Sequence, residues 1–349
     1  MKLVTVAEMK AIEKEADAKG VSYPLMMERA GKGLAQAIQR MPDAYETHKV
    51  LALVGSGNNG GDGLVALAEL ANMGWEVCAY LVKERPGDVL LQKVLDAGGE
   101  ILFHERDAQF KELKAKLGEL PVLIDSLLGT GISLPLKVPY SELLKIVSDY
   151  AARLTIVAVD CPSGVNCDSG ECAENTLQAD FTFCMQAVKI GLLSFPAYQY
   201  VGHLEVINLD LPDGLESEAS VKREVATADC VRRLLPKRPL QAHKGTFGTA
   251  LVVAGSVNYT GAALLSGQAA YRVGCGLVRM AVPGPLYNCL AGVFPEATWI
   301  LLPHDMGVIQ ANGSALVQQN LNKTTALLLG PGMGTEETTR EFLERILMG

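Results

Sequence analysis

The chain has 349 residues, 49% hydrophobic and 20% charged, and 31 Lys+Arg against 39 Asp+Glu leave a net charge of −8. A single core rarely grows this large, so two domains are expected. The acidic balance argues against a nucleic-acid partner but leaves room for a small phosphorylated ligand, which needs only a few local donors.

No uncharged apolar run reaches the roughly 18 residues of a membrane span, so no membrane partner is expected. Acids and lysines interrupt residues 1–20 every few positions, which breaks any signal-peptide stretch and leaves the cytoplasm as the expected compartment. The eight cysteines form no CxxC pair and no Cys/His cluster of zinc spacing, and are expected to be reduced, small apolar residues.

Residues 6–19 and 24–41 read as two amphipathic helices, with Met9, Ile12 and Ala16 on one stripe of the first. The apolar run 49–54 ends in glycines and reads as a buried parallel strand. Helix 61–74, strand 76–82, helix 87–97 and a short strand at 101–103 follow. Helix 107–118 then precedes strand 121–126, and helix 139–152 precedes strand 154–160. Two further β-like runs lie at 180–186 and 203–209. This alternation predicts a mostly parallel sheet with helices on both faces, and a ligand beyond the carboxyl ends of its strands. The polar, turn-rich segment 213–221 reads as a linker. After it the pattern restarts with strand 249–254, helix 261–273, strand 276–282 and strand 325–329. Domains of 1–212 and 222–349 are therefore expected, the second with about half the elements of a complete α/β domain.

The densest chemical signal is Gly55-Ser-Gly-Asn-Asn-Gly-Gly-Asp-Gly63, between the first strand and its helix. Glycines there let backbone N–H groups approach a phosphate at a helix N-terminus. The string contains GxGxxG, but a dinucleotide-binding dehydrogenase also wants an acid at the end of the second strand. Here Lys83 follows that strand and Glu76 lies at its other end, which disfavours an ordinary oxidoreductase. A purely structural glycine turn is the plain alternative, although two Asn and one Asp exceed what a turn requires.

Asp125 ends a second strand and leads into Gly129-Thr-Gly-Ile-Ser-Leu-Pro135; Asp160 ends a third and leads into Cys161-Pro-Ser-Gly-Val-Asn166. Each Asp alone reads equally well as a helix cap. Three strand ends of one parallel sheet offering acids and glycine loops to the same edge point to a site. Asn59, Asp125 and Ser163 can furnish hard oxygen ligands, and one carboxylate with neutral partners suits a monovalent ion. Lys189 can reach a phosphate or assist proton transfer, but reads more readily as a surface lysine. His104, His203, His243 and His304 read as solvated or capping residues, and the cluster Arg232, Arg233, Lys237, Arg238 as a solvated patch.

Gly55–Gly63, Asp125-Ser-Leu-Leu-Gly-Thr-Gly131, Val157-Ala-Val-Asp-Cys-Pro-Ser-Gly-Val165 and Met26-Met-Glu-Arg-Ala-Gly31 resemble the YjeF N-terminal domain, the NAD(P)H-hydrate epimerase half of a bifunctional repair enzyme. The resemblance covers residues 1–212 and implies a Rossmann-like αβα sandwich. It implies that Asn58, Asn59, Gly60, Gly61, Asp62, the loop Gly129, Thr130, Gly131, Ile132, Ser133, Leu134, Pro135, and Asp160 bind the hydrated dinucleotide. It also implies that Asn59, Asp125 and Ser163 hold a potassium ion, and Asp160 is placed to exchange a proton with the hydroxyl that leaves and returns on the other face.

His243–Gly248, Gly255–Ala263, Gly274–Val278 and Gly330-Pro-Gly-Met-Gly334 are similar to the ADP-dependent NAD(P)H-hydrate dehydratase, whose fold is ribokinase-like. There Ala262 and Gly334 match hydrate-contacting positions, and ADP is the implied co-substrate. That family's catalytic Asp lies in a GxGD segment further downstream. After residue 222 this chain has only Asp229 and Asp305, neither preceded by glycine, so the second half is expected to be truncated and inactive. An exposed half-sheet favours association, and a homo-oligomer is expected. The rival functions are a non-catalytic nucleotide-binding or scaffold module and, more remotely, a small-molecule kinase.

Overall fold

The computed structural model describes residues 1–41 and 48–348, which form two compact units divided between Leu234 and Leu235. In the first unit the chain runs β1 (Leu3–Val4), α1 (Val6–Ala18), α2 (Tyr23–Gln39), β2 (Lys49–Val54), α3 (Asn58–Asn72), β3 (Glu76–Leu81) and α4 (Val89–Asp96). It continues through β4 (Glu100–Phe103), α5 (Lys111–Glu119), β5 (Val122–Ser126), α6 (Tyr140–Ser148), β6 (Thr155–Val159), β7 (Phe181–Met185) and β8 (Val188–Lys189). A short α7 (Tyr198–Val201), β9 (His203–Ile207), α8 (Glu216–Ser220) and α9 (Ala228–Leu234) complete it.

Seven strands pair in the order β4-β3-β2-β5-β6-β7-β9, every pair parallel. Both faces of the central strands are buried, which is why β2 and β5 read as unbroken apolar runs. Alternate side chains feed two cores: Val50, Ala52 and Val54 face α1–α4, and Leu51 and Leu53 face α5 and α6. The strand order reverses between β2 and β5, so the loops leaving their carboxyl ends diverge and leave a crevice. That crevice is where Asn59, Asp125 and Ser163 meet.

Helix α3 begins at Asn58, three residues before the expected start at 61. Gly57 is its N-cap, and Gly61 N–H donates to Gly57 O at 3.2 Å. Glycines are poor helix formers, yet here packing overrides propensity. A Cβ on Gly31 of α2 would lie 2.4 Å from Val65, and one on Gly61 would lie 2.6 Å from the Met27 sulfur. The two helices can approach this closely only without those side chains. The Asn-Asn-Gly-Gly-Asp string is therefore the first turn of a rigid helix.

The segment 213–221, expected as a linker, folds back across α1. Leu215 and Val221 are buried, and Glu15 accepts hydrogen bonds from Glu216 N, Ser217 N and Ser217 Oγ at 3.0, 2.9 and 2.6 Å. Two apolar anchors outweigh the polar composition that suggested a tether. The continuously exposed stretch lies later, at 231–240.

The second unit runs β10 (Thr249–Val253), α10 (Thr260–Arg272), β11 (Leu277–Pro283), α11 (Gly284–Leu290), β12 (Thr298–Leu302), β13 (His304–Asp305), β14 (Val308–Ile309), α12 (Ser314–Leu321), β15 (Ala326–Leu329) and α13 (Glu337–Leu347). Its main sheet has the order β12-β11-β10-β15, all parallel. Strand β12, the β13–β14 hairpin and helices α11 to α13 lie where the sequence pattern predicts no element, although Pro285 in the first turn of α11 is a start signal that sequence reasoning passed over. The first unit is a Rossmann-like αβα sandwich and the second an α/β unit built on a four-stranded parallel sheet. No helix among the described residues is long and apolar enough to cross a membrane. All eight cysteines are free, and Cys78, Cys161, Cys167 and Cys184 are buried.

Candidate functional site

The first turn of α3 divides its polar residues between two places, as helical geometry requires. Asn58 and Asp62, four residues apart, face a cavity of about 470 Å³ lined also by Glu13 of α1, Tyr23 and Met27 of α2, and Met185 of β7. Asn59 points the other way, toward the loop after β5, where its Nδ2 donates to Leu128 O at 3.0 Å.

Burial, with Asp160 and Glu13 nearby, pushes the Asp62 carboxyl well above the usual carboxylate range, and Lys189 only partly opposes this. Burial also raises Glu13, opposed by Lys189 and reinforced by Asp160. These are protonatable acids in a largely apolar cavity, with side chains arriving from different elements. Among the described residues no three His, Cys, Asp or Glu side chains stand close enough to hold a metal.

Asp160 follows β6 with φ of 64°, in the left-handed region that Asp tolerates better than most residues. Its N–H donates to Phe183 O at 2.8 Å, and its Oδ1 accepts from Met185 N at 2.9 Å. The same oxygen pairs with Lys189 Nζ, which also donates to Met185 O at 3.2 Å. Lys189 is 1% exposed, so the surface reading of this residue is corrected. The reason is its pairing: β8 aligns Val4 with Lys189, and the amino-terminal strand and the helix launched from it cover the side chain. Burial works against the ammonium charge, but the adjacent Asp160 carboxylate outweighs it and holds Lys189 above the ordinary lysine range.

Asp125, Ser163 and Asn59 gather around residues 127–129. Asp125 is fully buried; its Oδ2 accepts from Ser163 N at 2.8 Å and its Oδ1 from Ser163 Oγ at 2.5 Å. Ser163 Oγ in turn accepts from Leu128 N at 2.9 Å. Burial raises the Asp125 carboxyl, and the Ser163 hydrogen bonds pull the other way. No Lys or Arg forms an ion pair with Asp125 among the described residues. A buried carboxylate surrounded by hydroxyl, amide and carbonyl oxygens, without a basic side chain, fits a weakly hydrated monovalent cation. Asn59, Asp125 and Ser163 would hold it, next to the Leu128 carbonyl.

The loop from Gly129 to Pro135 leaves β5 without regular structure. Gly129 abuts Asn59, where a Cβ would lie 3.2 Å from the Asn59 Cβ. Thr130, Gly131, Ile132, Ser133, Leu134 and Pro135 line no part of the large cavity; Pro135 instead borders a small one of about 100 Å³. In the second unit Ala262 lies in the first turn of α10, and a Cβ on Gly332 would meet its Cβ at 2.6 Å. Gly334, at φ 88°, follows Gly332 in the turn after β15, so Ala262 and Gly334 share the carboxyl edge of β10 and β15. His243 accepts from Gly245 N at 3.1 Å, capping a short 3-10 turn.

Sequence reasoning missed two residues. Glu13 occupies a position of the buried stripe Met9-Ile12-Glu13-Ala16, at i, i+3, i+4 and i+7, and an acid in an apolar slot was the available signal. Arg85 had no signal: it lies in a loop, yet its guanidinium reaches back to the glycine turn.

A family model described as YjeF-related protein N-terminus matches residues 25–191, and one described as NAD(P)H-hydrate dehydratase matches residues 250–348. The bifunctional NAD(P)H-hydrate repair enzyme Nnr of Archaeoglobus fulgidus is 31% identical over 99% of this chain and 69% of its own length. That of Moorella thermoacetica is 30% identical over 99% of this chain and 67% of its own. The chain thus spans about two thirds of the length of these relatives. The crystal structure of yeast ynu0 superposes with a TM-score of 0.50 at 20% identity, covering 59% of this chain and 87% of that one, and shows the same fold. The chain belongs to the family of bifunctional NAD(P)H-hydrate repair enzymes, with an epimerase-type and a dehydratase-type domain.

Proposed function

We propose that the first unit interconverts the R and S epimers of hydrated NADH or NADPH. The observation that carries this reading is the Asp160–Lys189 pair, bonded to Met185, which lines the cavity that Asn58, Asp62 and Glu13 face.

The reacting carbon, C6 of the hydrated nicotinamide ring, bears a hydroxyl and is bonded to the ring nitrogen. A carboxyl proton goes to the hydroxyl oxygen as the C–O bond breaks, and the nitrogen lone pair closes an iminium. Water then adds to the opposite face and returns a proton, so the reaction is balanced without redox or nucleotide cleavage. Asp160, a carboxylate in its pair with Lys189, takes the proton that the adding water returns. Lys189, spent on Asp160 and Met185 O, positions that carboxylate rather than touching substrate. The protonated carboxyl of Asp62, with Glu13 near it, gives the proton to the leaving hydroxyl, and the carboxylate it leaves behind stabilises the cationic intermediate. The N-terminus of α3 takes the diphosphate. A bound potassium ion supplies fixed positive charge at Asn59, Asp125 and Ser163.

For the second unit the proposal is narrower. Ala262 and Gly334, at the carboxyl edge of β10 and β15, would contact the hydrate. The test is incubation with mixed R and S hydrates, followed by chromatography with and without ADP. Epimer exchange, with or without ADP, supports the proposal for the first unit, and its absence removes it.

A further inference from the structure

An ordinary dinucleotide fold carries an acid at the end of its second strand for the ribose. Here the loop after β3 instead sends a cation under the glycine turn. Arg85 Nη1 donates to Gly55 O at 2.9 Å and to Gly57 O at 3.3 Å. Its Nε pairs with Asp88 Oδ2 at 2.5 Å, and the other Asp88 oxygen accepts from Leu90 N at 2.8 Å, capping α4. One largely buried ion pair thus joins three pieces: the β2–α3 turn, the β3–α4 loop and the first turn of the helix whose Leu90 and Lys93 line the cavity.

The turn has little freedom of its own. Gly55 N–H donates to Ser126 O at 3.2 Å, and a Cβ on Gly55 would lie 1.9 Å from Leu127 O. The Gly57 carbonyl also accepts from Gly61 N–H at 3.2 Å, and the Gly55 oxygen lies against Gly60, where a Cβ would be 2.1 Å from it; Arg85 adds a charged donor to both. Carbonyl oxygens facing a phosphate repel it, whereas N–H groups attract it. Holding both oxygens on a guanidinium commits the opposite side of those peptides to the anion, and leaves a positive charge behind it.

We propose that Arg85 is the positioning residue of the diphosphate subsite, acting through the Gly55 and Gly57 carbonyls, with Asp88 holding it in place. This rests on the reading of the cleft as a hydrated-dinucleotide site. It predicts that Arg85 serves the diphosphate and not the reacting ring.

The experiment compares two substrates, the dinucleotide hydrate and the hydrate of reduced nicotinamide riboside, which carries no phosphate. Arg85→Ala raises KM for the dinucleotide about 10–100-fold, the scale of lost hydrogen bonds to a charged group. The kcat for the dinucleotide and the kcat/KM for the riboside stay near wild type, and Arg85→Lys recovers part of the loss. Equal losses on both substrates, or no loss on either, overturn the proposal. Calorimetry with ADP-ribose, which keeps the diphosphate but lacks the reactive ring, reads the subsite without turnover. Weakened binding by Arg85→Ala supports the proposal even if no epimerisation is found, and unchanged binding overturns it. If Arg85→Ala does not fold, Arg85→Lys and Asp88→Asn are titrated in its place; weaker ADP-ribose binding again supports the proposal and wild-type binding overturns it.

Discussion

Replacing Asp160 by Asn removes the counter-charge of an ammonium that is 1% exposed and keeps only the Met185 carbonyl at 3.2 Å. Breaking a buried pair from one side costs about 3–5 kcal/mol. For a unit of this size each kcal/mol moves the midpoint by about 2–4 °C, so a fall of about 6–20 °C is expected. Lys189→Met costs less, about 1–3 kcal/mol, because Asp160 is 14% exposed and keeps the Met185 N–H at 2.9 Å. The double variant, with neither charge left to bury, returns toward wild-type stability, giving a coupling of at least about 2 kcal/mol. Activity does not follow: Asp160→Asn loses about 10²–10⁴-fold and the double variant stays inactive, since neither retains the proton carrier. The assay is urea unfolding read by the buried Trp75 in a Trp299→Phe background, which isolates the first unit, together with chromatography of the hydrates. An Asp160→Asn variant of wild-type stability or activity, or a double variant as unstable as the sum of the singles, refutes the reasoning. In the wild type Asp160 holds Lys189 above the ordinary lysine range; without it burial alone acts and lowers Lys189, so the cost of Asp160→Asn shrinks as pH rises toward the ordinary lysine range.

Exchanging potassium for tetramethylammonium lowers epimerisation about 10–100-fold, and Asp125→Asn makes the residual rate indifferent to the cation, as read by titrating each salt at constant ionic strength. Asp62→Asn removes a carboxyl whose charged form is disfavoured in the folded state. The variant gains stability at pH 8, and the gain shrinks as pH falls toward about 4, where both forms of Asp62 are protonated; a gain growing with acid would contradict this. Gly55→Ala places a methyl 1.9 Å from the Leu127 carbonyl oxygen and costs at least about 1–3 kcal/mol in the first unit, seen as a lowered Tm.

The parallel sheet and its strand ends were legible because buried β2, β5 and β6 write themselves as unbroken apolar runs ending in Gly or Asp. Asp125 and Asp160 were visible for the same reason, each closing such a run. Lys189 reads as a surface residue because its environment is set by residues almost the whole unit away: nothing near position 189 says that Val4 will pair with it. The start of α3 reads late because Gly60 and Gly61 look like loop until Met27 of α2 is brought against Gly61 and Gly31 against Val65. Segment 213–221 looks like a tether because its acids dominate its composition, while two residues, Leu215 and Val221, decide where it lies. Arg85 acts on carbonyl oxygens, which carry no sequence signature at all.

The central claim is that this cleft breaks and remakes the bond between C6 and its hydroxyl. Starting from one purified epimer of the hydrate in ¹⁸O-labelled water tests it most directly. The opposite epimer should form well above the spontaneous rate and carry ¹⁸O at C6 from its first appearance. Failure of the second epimer to form faster than in enzyme-free buffer, or its formation without label, would contradict the account.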